Sequence, residues 1–139
     1  AHKHSFYLII WFSKGTGRHY VDFKEYPVTD NTMFFISPGQ IHYFEDNRQV
    51  EGIVIHFNEG FLSDEGSSEN VFLKYNVFNA FDASPYYHIH QQDVDKLAFL
   101  VQEMEEETCN DRLFAHKDLL KYLIRMMLIY VQRTCERGH

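Results

Sequence analysis

The chain has 139 residues, 45% of them hydrophobic and 17% aromatic, and a formal net charge of −7. Such a composition excludes a disordered segment, and the length suits one domain with a real core. The acidic balance offers phosphates no basic face, so this chain is expected to bind no nucleic acid by itself. Its apolar runs are too short to span a membrane, and no basic segment followed by an apolar one marks a secretory leader. Cys109 and Cys135 fall in helix-like sequence and make no disulfide framework, so a reduced, cytoplasmic compartment is expected. The strand pattern is already running at residue 5, which reads as a piece of a longer protein.

In chain order, SFYLIIWF (5–12) is rich in aromatic and β-branched residues, KGTG turns the chain, and RHYVDF resumes as a strand. Residues 5–23 therefore read as a hairpin around Gly15 and Gly17. Pro27 and TDN (29–31) punctuate; TMFFI and IHYF read as two strands of a hairpin turned at SPG, and EGIVIHF (51–57) reads as a further strand after the loop DNRQ. Short strands at this spacing predict a β-sandwich or small barrel. Apolar residues on both parities of SFYLIIWF predict that one face of its sheet meets a second layer. NEGFL reads as a short helical turn, SDEGSSE as a solvated loop, NVFLKYNVF as a short helix and PYYHI (85–89) as one more strand.

From about residue 93 the period lengthens. Val94, Leu97, Val101 and Met104 make one stripe of an amphipathic helix, with Asp93 as N-cap, EMEEE toward water and a break at Cys109-Asn110-Asp111. A second helix is expected over about 112–133. Leu113, Leu120, Leu123, Met127 and Tyr130 form its main stripe, and much of the remaining surface is apolar too. A helix this apolar needs more than one neighbour, so that stripe is expected to pair two copies of the chain.

Two motifs carry a resemblance. Ser37-Pro38-Gly39-Gln40-Ile41-His42, with Asn31 before it and Asp46 after it, is similar to the second motif of the cupin superfamily. Asn31 stands where that motif has glycine, and asparagine tolerates the left-handed turn such a position wants. His2-Lys3-His4 followed by Gly15 is similar to the first motif, but Leu8 holds the glutamate slot. The K-G-x-G turn, the V-D-F strand, P-G-Q-I-H, the H-F-N-E-x-F-L exit and the two terminal helices together resemble the N-terminal domain of AraC-type transcription regulators.

That resemblance implies a mainly β fold, a cupin double-stranded β-helix over residues 1–91, followed by a helical dimerisation region over 92–135. It implies a small-molecule effector bound inside the barrel, a homodimer, and a separate DNA-binding domain with helix-turn-helix motifs that is not in this chain. Strand alternation puts His4, Leu8, Ile10 and Phe12 on one face. With His42, Phe44, Val54 and His56 they are expected to line a mostly apolar pocket with a few polar groups, the usual form of a small-ligand site. Phe12 and Phe44 make the site more apolar than a sugar site, leaving an aromatic, lipid-like or sugar effector open. No cofactor is expected. The competing reading is a metal-dependent cupin enzyme, a dioxygenase or isomerase with His2, His4 and His42 as ligands; the missing glutamate counts against it. A third reading is a structural dimerisation domain with an empty barrel. His19, His88, His90 and His116 are expected at the surface or at strand edges.

Overall fold

A computed structural model describes residues 2–3, 5–45, 50–62 and 85–137. They separate into two compact units, Ala1–His88 and Ile89–His139, taken here in turn.

The first unit is built from eight strands: β1 (His2–Lys3), β2 (Tyr7–Lys14), β3 (Gly17–Val21), β4 (Lys24–Val28), β5 (Thr32–Ile36), β6 (Ile41–Glu45), β7 (Glu51–Phe57) and β8 (Tyr86–His88). They form two four-stranded antiparallel sheets, ordered β1-β6-β3-β4 and β7-β2-β5-β8. The expected mainly β, cupin-type architecture is present, as a two-layer sandwich rather than a closed barrel among the described residues. Leu8, Ile10, Phe12, Phe34 and Ile36 from one sheet meet Val21 and Val28 from the other in one buried cluster. The second sheet is buried on its other face as well, through Ile9, Trp11, Met33 and Phe35. This accounts for the unbroken apolar run of β2, because a strand covered on both faces has no solvent side to mark with polar residues.

Three connections differ from the sequence expectation. β2 and β3 do not form a hairpin around Gly15 and Gly17, because they lie in different sheets; β2 pairs with β5 and β7 instead. β5 and β6, on either side of Ser-Pro-Gly, also belong to opposite sheets. The hairpin lies one step later, β3 with β4, closed by Asp22 and Phe23, both at positive φ (50° and 68°). That two-residue turn matches the strand twist; Asp22 suits its first position, but Phe23 stands where glycine is usual, so the pair does not read as a hairpin signal. β4 itself was hidden by Pro27, which as an edge-strand residue has no neighbour waiting for its missing N–H.

Asp22 ties this hairpin to the turn before β6. Its carboxylate accepts from the Ile41 amide (3.1 Å) and from the Gln40 Nε2 (2.8 Å), while the side-chain Oε1 of Gln40 accepts from the Ser37 amide (2.8 Å). Asn31 sits at φ 60°, the left-handed turn expected of its slot, and its side-chain oxygen accepts from the Trp11 indole N–H at 3.4 Å. Opposite a bulge in β2, Gly52 is required by space, since a Cβ there would lie 2.2 Å from the Trp11 carbonyl oxygen. After β7, Glu59–Phe61 form one 3-10 turn capped by the Asn58 side chain, which accepts from the Phe61 amide at 2.9 Å. The helix expected over 70–78 lies outside the described residues.

The second unit is an antiparallel pair of helices, α1 (Gln91–Thr108) and α2 (His116–Arg137). His90, not Asp93, is the N-cap of α1. Asp93 turns inward, and its carboxylate accepts from the Thr134 hydroxyl at 3.1 Å. At the other end His116 meets Glu107 at 3.1 Å, and between them Lys96 lies 4.5 Å from the Tyr130 ring centroid. Leu97, Leu100 and Met104 are buried on α1 together with Asp93 and Glu107, so its inner stripe is turned from the expected one toward Leu100. α2 starts four residues later than expected, because Ala115 at φ 56° interrupts the helical path. None of the helices formed by the described residues is long and apolar enough to cross a membrane.

Candidate functional site

The space between the two sheets brings most of the expected site residues together. Leu8, Ile10 and Phe12 point inward from β2; His42 and Phe44 face them from β6. Phe12 and Phe44 stack with ring centroids 5.2 Å apart, and Phe12 meets Phe34 edge-on at 5.9 Å. Tyr26 and Tyr86, stacked at 6.0 Å, pack against the same cluster.

The cross-strand register puts Val54 beside Ile10 and His56 beside Leu8, on this same face. β7 is an edge strand, however, and both side chains are exposed, Val54 by 59%. Val54 and His56 therefore mark the open margin of the layer, with His56 resting on Phe6 at 5.0 Å. His4 lies outside the described residues. His2 stands directly opposite His42 in the β1–β6 register. Among the described residues no three His, Cys, Asp or Glu side chains converge as a metal set.

His19, expected at the surface, is the main correction. It is only 2% exposed and sits at the centre of the aromatic cluster, 4.7 Å from Phe34 and 5.4 Å from the His42 ring, nearly parallel to the latter at 25°. The alternation of GRHYV carried the signal: Arg18 and Tyr20 face outward, where Arg18 pairs with Glu25 at 3.2 Å, so His19 and Val21 must face in. Neither ring nitrogen of His19 has a hydrogen-bond partner among the described residues. Burial, with a smaller contribution from the neighbouring His42, lowers its pKa to about 4, so the ring is neutral at physiological pH. A neutral imidazole offers one N–H donor and one bare nitrogen acceptor, here aimed into an otherwise apolar layer.

Thr32 is a further buried polar side chain of this layer beside His19 and His42, and it is already engaged. Its hydroxyl donates to the Thr29 carbonyl at 2.7 Å and accepts from the Thr29 amide at 3.1 Å. The outer face of the first sheet is of a different kind, with Tyr20 stacked on Tyr43 at 4.6 Å and Glu45 hydrogen-bonded to Tyr20, which raises the phenol pKa.

On α2 the structure divides the stripe expected to pair two copies. Met127 (0% exposed) and Leu123 are buried inside the chain, Leu120 and Tyr130 are half-buried, and Leu113 is exposed in the turn before the helix. A face already covered by its own chain cannot meet a partner. The open apolar face is its neighbour, Leu119, Tyr122 and Met126.

The sandwich thus encloses a buried, mostly apolar inner layer with two inward imidazoles. The family model of the AraC-like ligand binding domain matches residues 1–120, and the chain belongs to that family. The family is regulatory rather than enzymatic. No curated protein matches the chain.

Proposed function

We propose that this chain is the effector-sensing and dimerising part of an AraC-type transcription regulator, seating a small molecule between its two sheets and passing its presence to a DNA-binding domain outside this chain. The observation that carries the proposal is His19, a polar ring held 2% exposed among Phe12, Phe34 and Phe44 with both nitrogens unpartnered among the described residues. Burying such a group without a partner costs about 1–3 kcal/mol, a cost a bound ligand would offset. Val54 and His56 at the exposed margin of the same face are the entrance side of this arrangement. An effector could shift the regulator between two states only through its differential affinity for them.

The dimer is assigned to the exposed stripe of α2. Leu119, Tyr122 and Met126 are spaced three and four residues apart, as a helix-pairing seam requires, and half-buried Ile129 continues it. The test of the sensing function is a thermal-shift screen of the domain with aromatic compounds, fatty acids and sugars. A ligand at a hundred times its Kd adds about 2.7 kcal/mol of stability. A shift that disappears in a variant with a substituted inner-layer residue supports the proposal. A folded, cooperatively melting domain that responds to no class of compound overturns it.

A further inference from the structure

We propose that the effector is an uncharged, flat aromatic or heteroaromatic molecule bearing one hydroxyl or ring N–H that hydrogen-bonds His19. This inference rests on the sensing function above and narrows it to a ligand class.

Three observations define the class. The first is the absence of formal charge. In the described part of the sandwich the buried polar side chains are His19, Thr32 and His42, so no carboxylate, ammonium or guanidinium lies in the layer. On β3, β4 and β6, Arg18, Glu25 and Glu45 are exposed on the outer face, and Lys24, which shares the face of Val21 at the end of the edge strand β4, is exposed to solvent rather than buried in the layer. A ligand with a fixed charge would lose its hydration there with no counter-charge to meet. His19 supplies no ready cation either. With its pKa near 4, the protonated ring is about a thousand-fold rarer than the neutral one at pH 7.

The second observation is the scarcity of polar partners. Thr32 is bonded to Thr29, so a molecule with many hydroxyls would leave most of them unsatisfied, which argues against a sugar. The third is shape. The rings of Phe12, Phe34 and Phe44 around His19 meet one another face-to-face and edge-on, contacts that favour a planar π-system over a puckered one. The unpartnered ring of His19 then sets one polar contact, and a neutral imidazole matches a group that both gives and accepts, a hydroxyl or an azole N–H. A site built around such a contact rejects analogues lacking the group far more strongly than it rejects a change in bulk.

The test is a binding series on the folded domain at pH 7.5 with phenol, indole, toluene, benzoate, cyclohexanol and a pentose, read by calorimetry and by the imidazole NMR signals of the histidines. The expected result is that phenol or indole binds at least tenfold more tightly than toluene, benzoate and cyclohexanol, and that the His19 signals shift on binding. In a His19→Phe variant that still melts cooperatively, the preference for phenol over toluene is expected to vanish, while Arg18→Gln leaves it intact. If His19→Phe does not fold, the His19 signals of the unaltered chain decide the point. Tightest binding of benzoate or the pentose, with inner-layer signals shifting, overturns the ligand class and leaves the sensing function standing. Equal affinity for phenol and toluene, or binding that leaves the His19 signals unmoved, overturns the role of His19. Binding of no probe, and of no compound in the wider screen, overturns both.

Discussion

The imidazole of His19 on β3 lies nearly parallel to that of His42 on β6, their centroids 5.4 Å apart between two sheets whose other inward side chains are overwhelmingly apolar. Their strands are neighbours in the first sheet, so the backbone register fixes the pair. The pair is the polar centre of an apolar layer, and its chemistry makes the fold sensitive to acid.

Burial holds the pKa of His19 at about 4, against an ordinary value of 6.5 in the unfolded chain. Between those values the unfolded chain binds more protons than the folded one, so stability falls as pH falls. The contribution of His19 is intact above pH 6.5 and shrinks steadily toward pH 4. From that difference, about 2 kcal/mol of stability is lost between pH 7.5 and pH 5. Denaturant unfolding at the two pH values measures the loss. A His19→Phe variant is expected to show a clearly smaller one; an unchanged loss would place the acid sensitivity elsewhere.

Gly52→Ala places a methyl group 2.2 Å from the Trp11 carbonyl oxygen, a backbone atom that cannot swing aside. Either the β2 bulge or the edge pairing of β7 must open. Overpacking of this kind costs about 1–3 kcal/mol. A thermal melt of the variant reads the cost directly, and a midpoint equal to that of the parent would show that β7 yields freely.

Phe23 closes the β3–β4 hairpin at φ 68° with its ring 80% exposed. An L-residue pays about 1 kcal/mol or more in that conformation, and glycine does not, although glycine loses more freedom on folding. Phe23→Gly is therefore expected to raise stability by up to about 1 kcal/mol, seen as a higher denaturant midpoint at unchanged slope. A lower midpoint would mean that the exposed ring is held by packing.

Adjacent methionines on α2 separate folding from association. Met127 is fully buried, and Met127→Ala is expected to cost about 2–5 kcal/mol. Met126 is 41% exposed beside Tyr122. If this stripe pairs two copies as proposed, Met126→Glu with Tyr122→Glu changes the stability of the isolated chain little and turns the proposed dimer into a monomer in sedimentation. If sedimentation shows the same dimer in that double variant, the pairing seam lies on another face.

Much of this protein was written in its local sequence. The strand runs of β2, β5, β6 and β7, the change of period at residue 93, the left-handed Asn31 and the inward parity of Leu8, Ile10, Phe12, His42 and Phe44 all follow from alternation and turn chemistry, which are local properties. The family resemblance also lay in short motifs such as P-G-Q-I-H, and Gln40 now has a physical role as the clamp between Ser37 and Asp22. What sequence alone left undecided depended on partners distant along the chain. Which sheet a strand joins is set by its neighbours, so β2–β3 and β5–β6 read as hairpins although each pair is split between sheets. The same holds for exposure: Val54 shares the inner parity but sits on an edge strand, and Met127 and Met126 look alike until the antiparallel packing of α1 and α2 covers one and leaves the other open. Alternation tells which way a side chain points, but only the tertiary structure decides what it meets there.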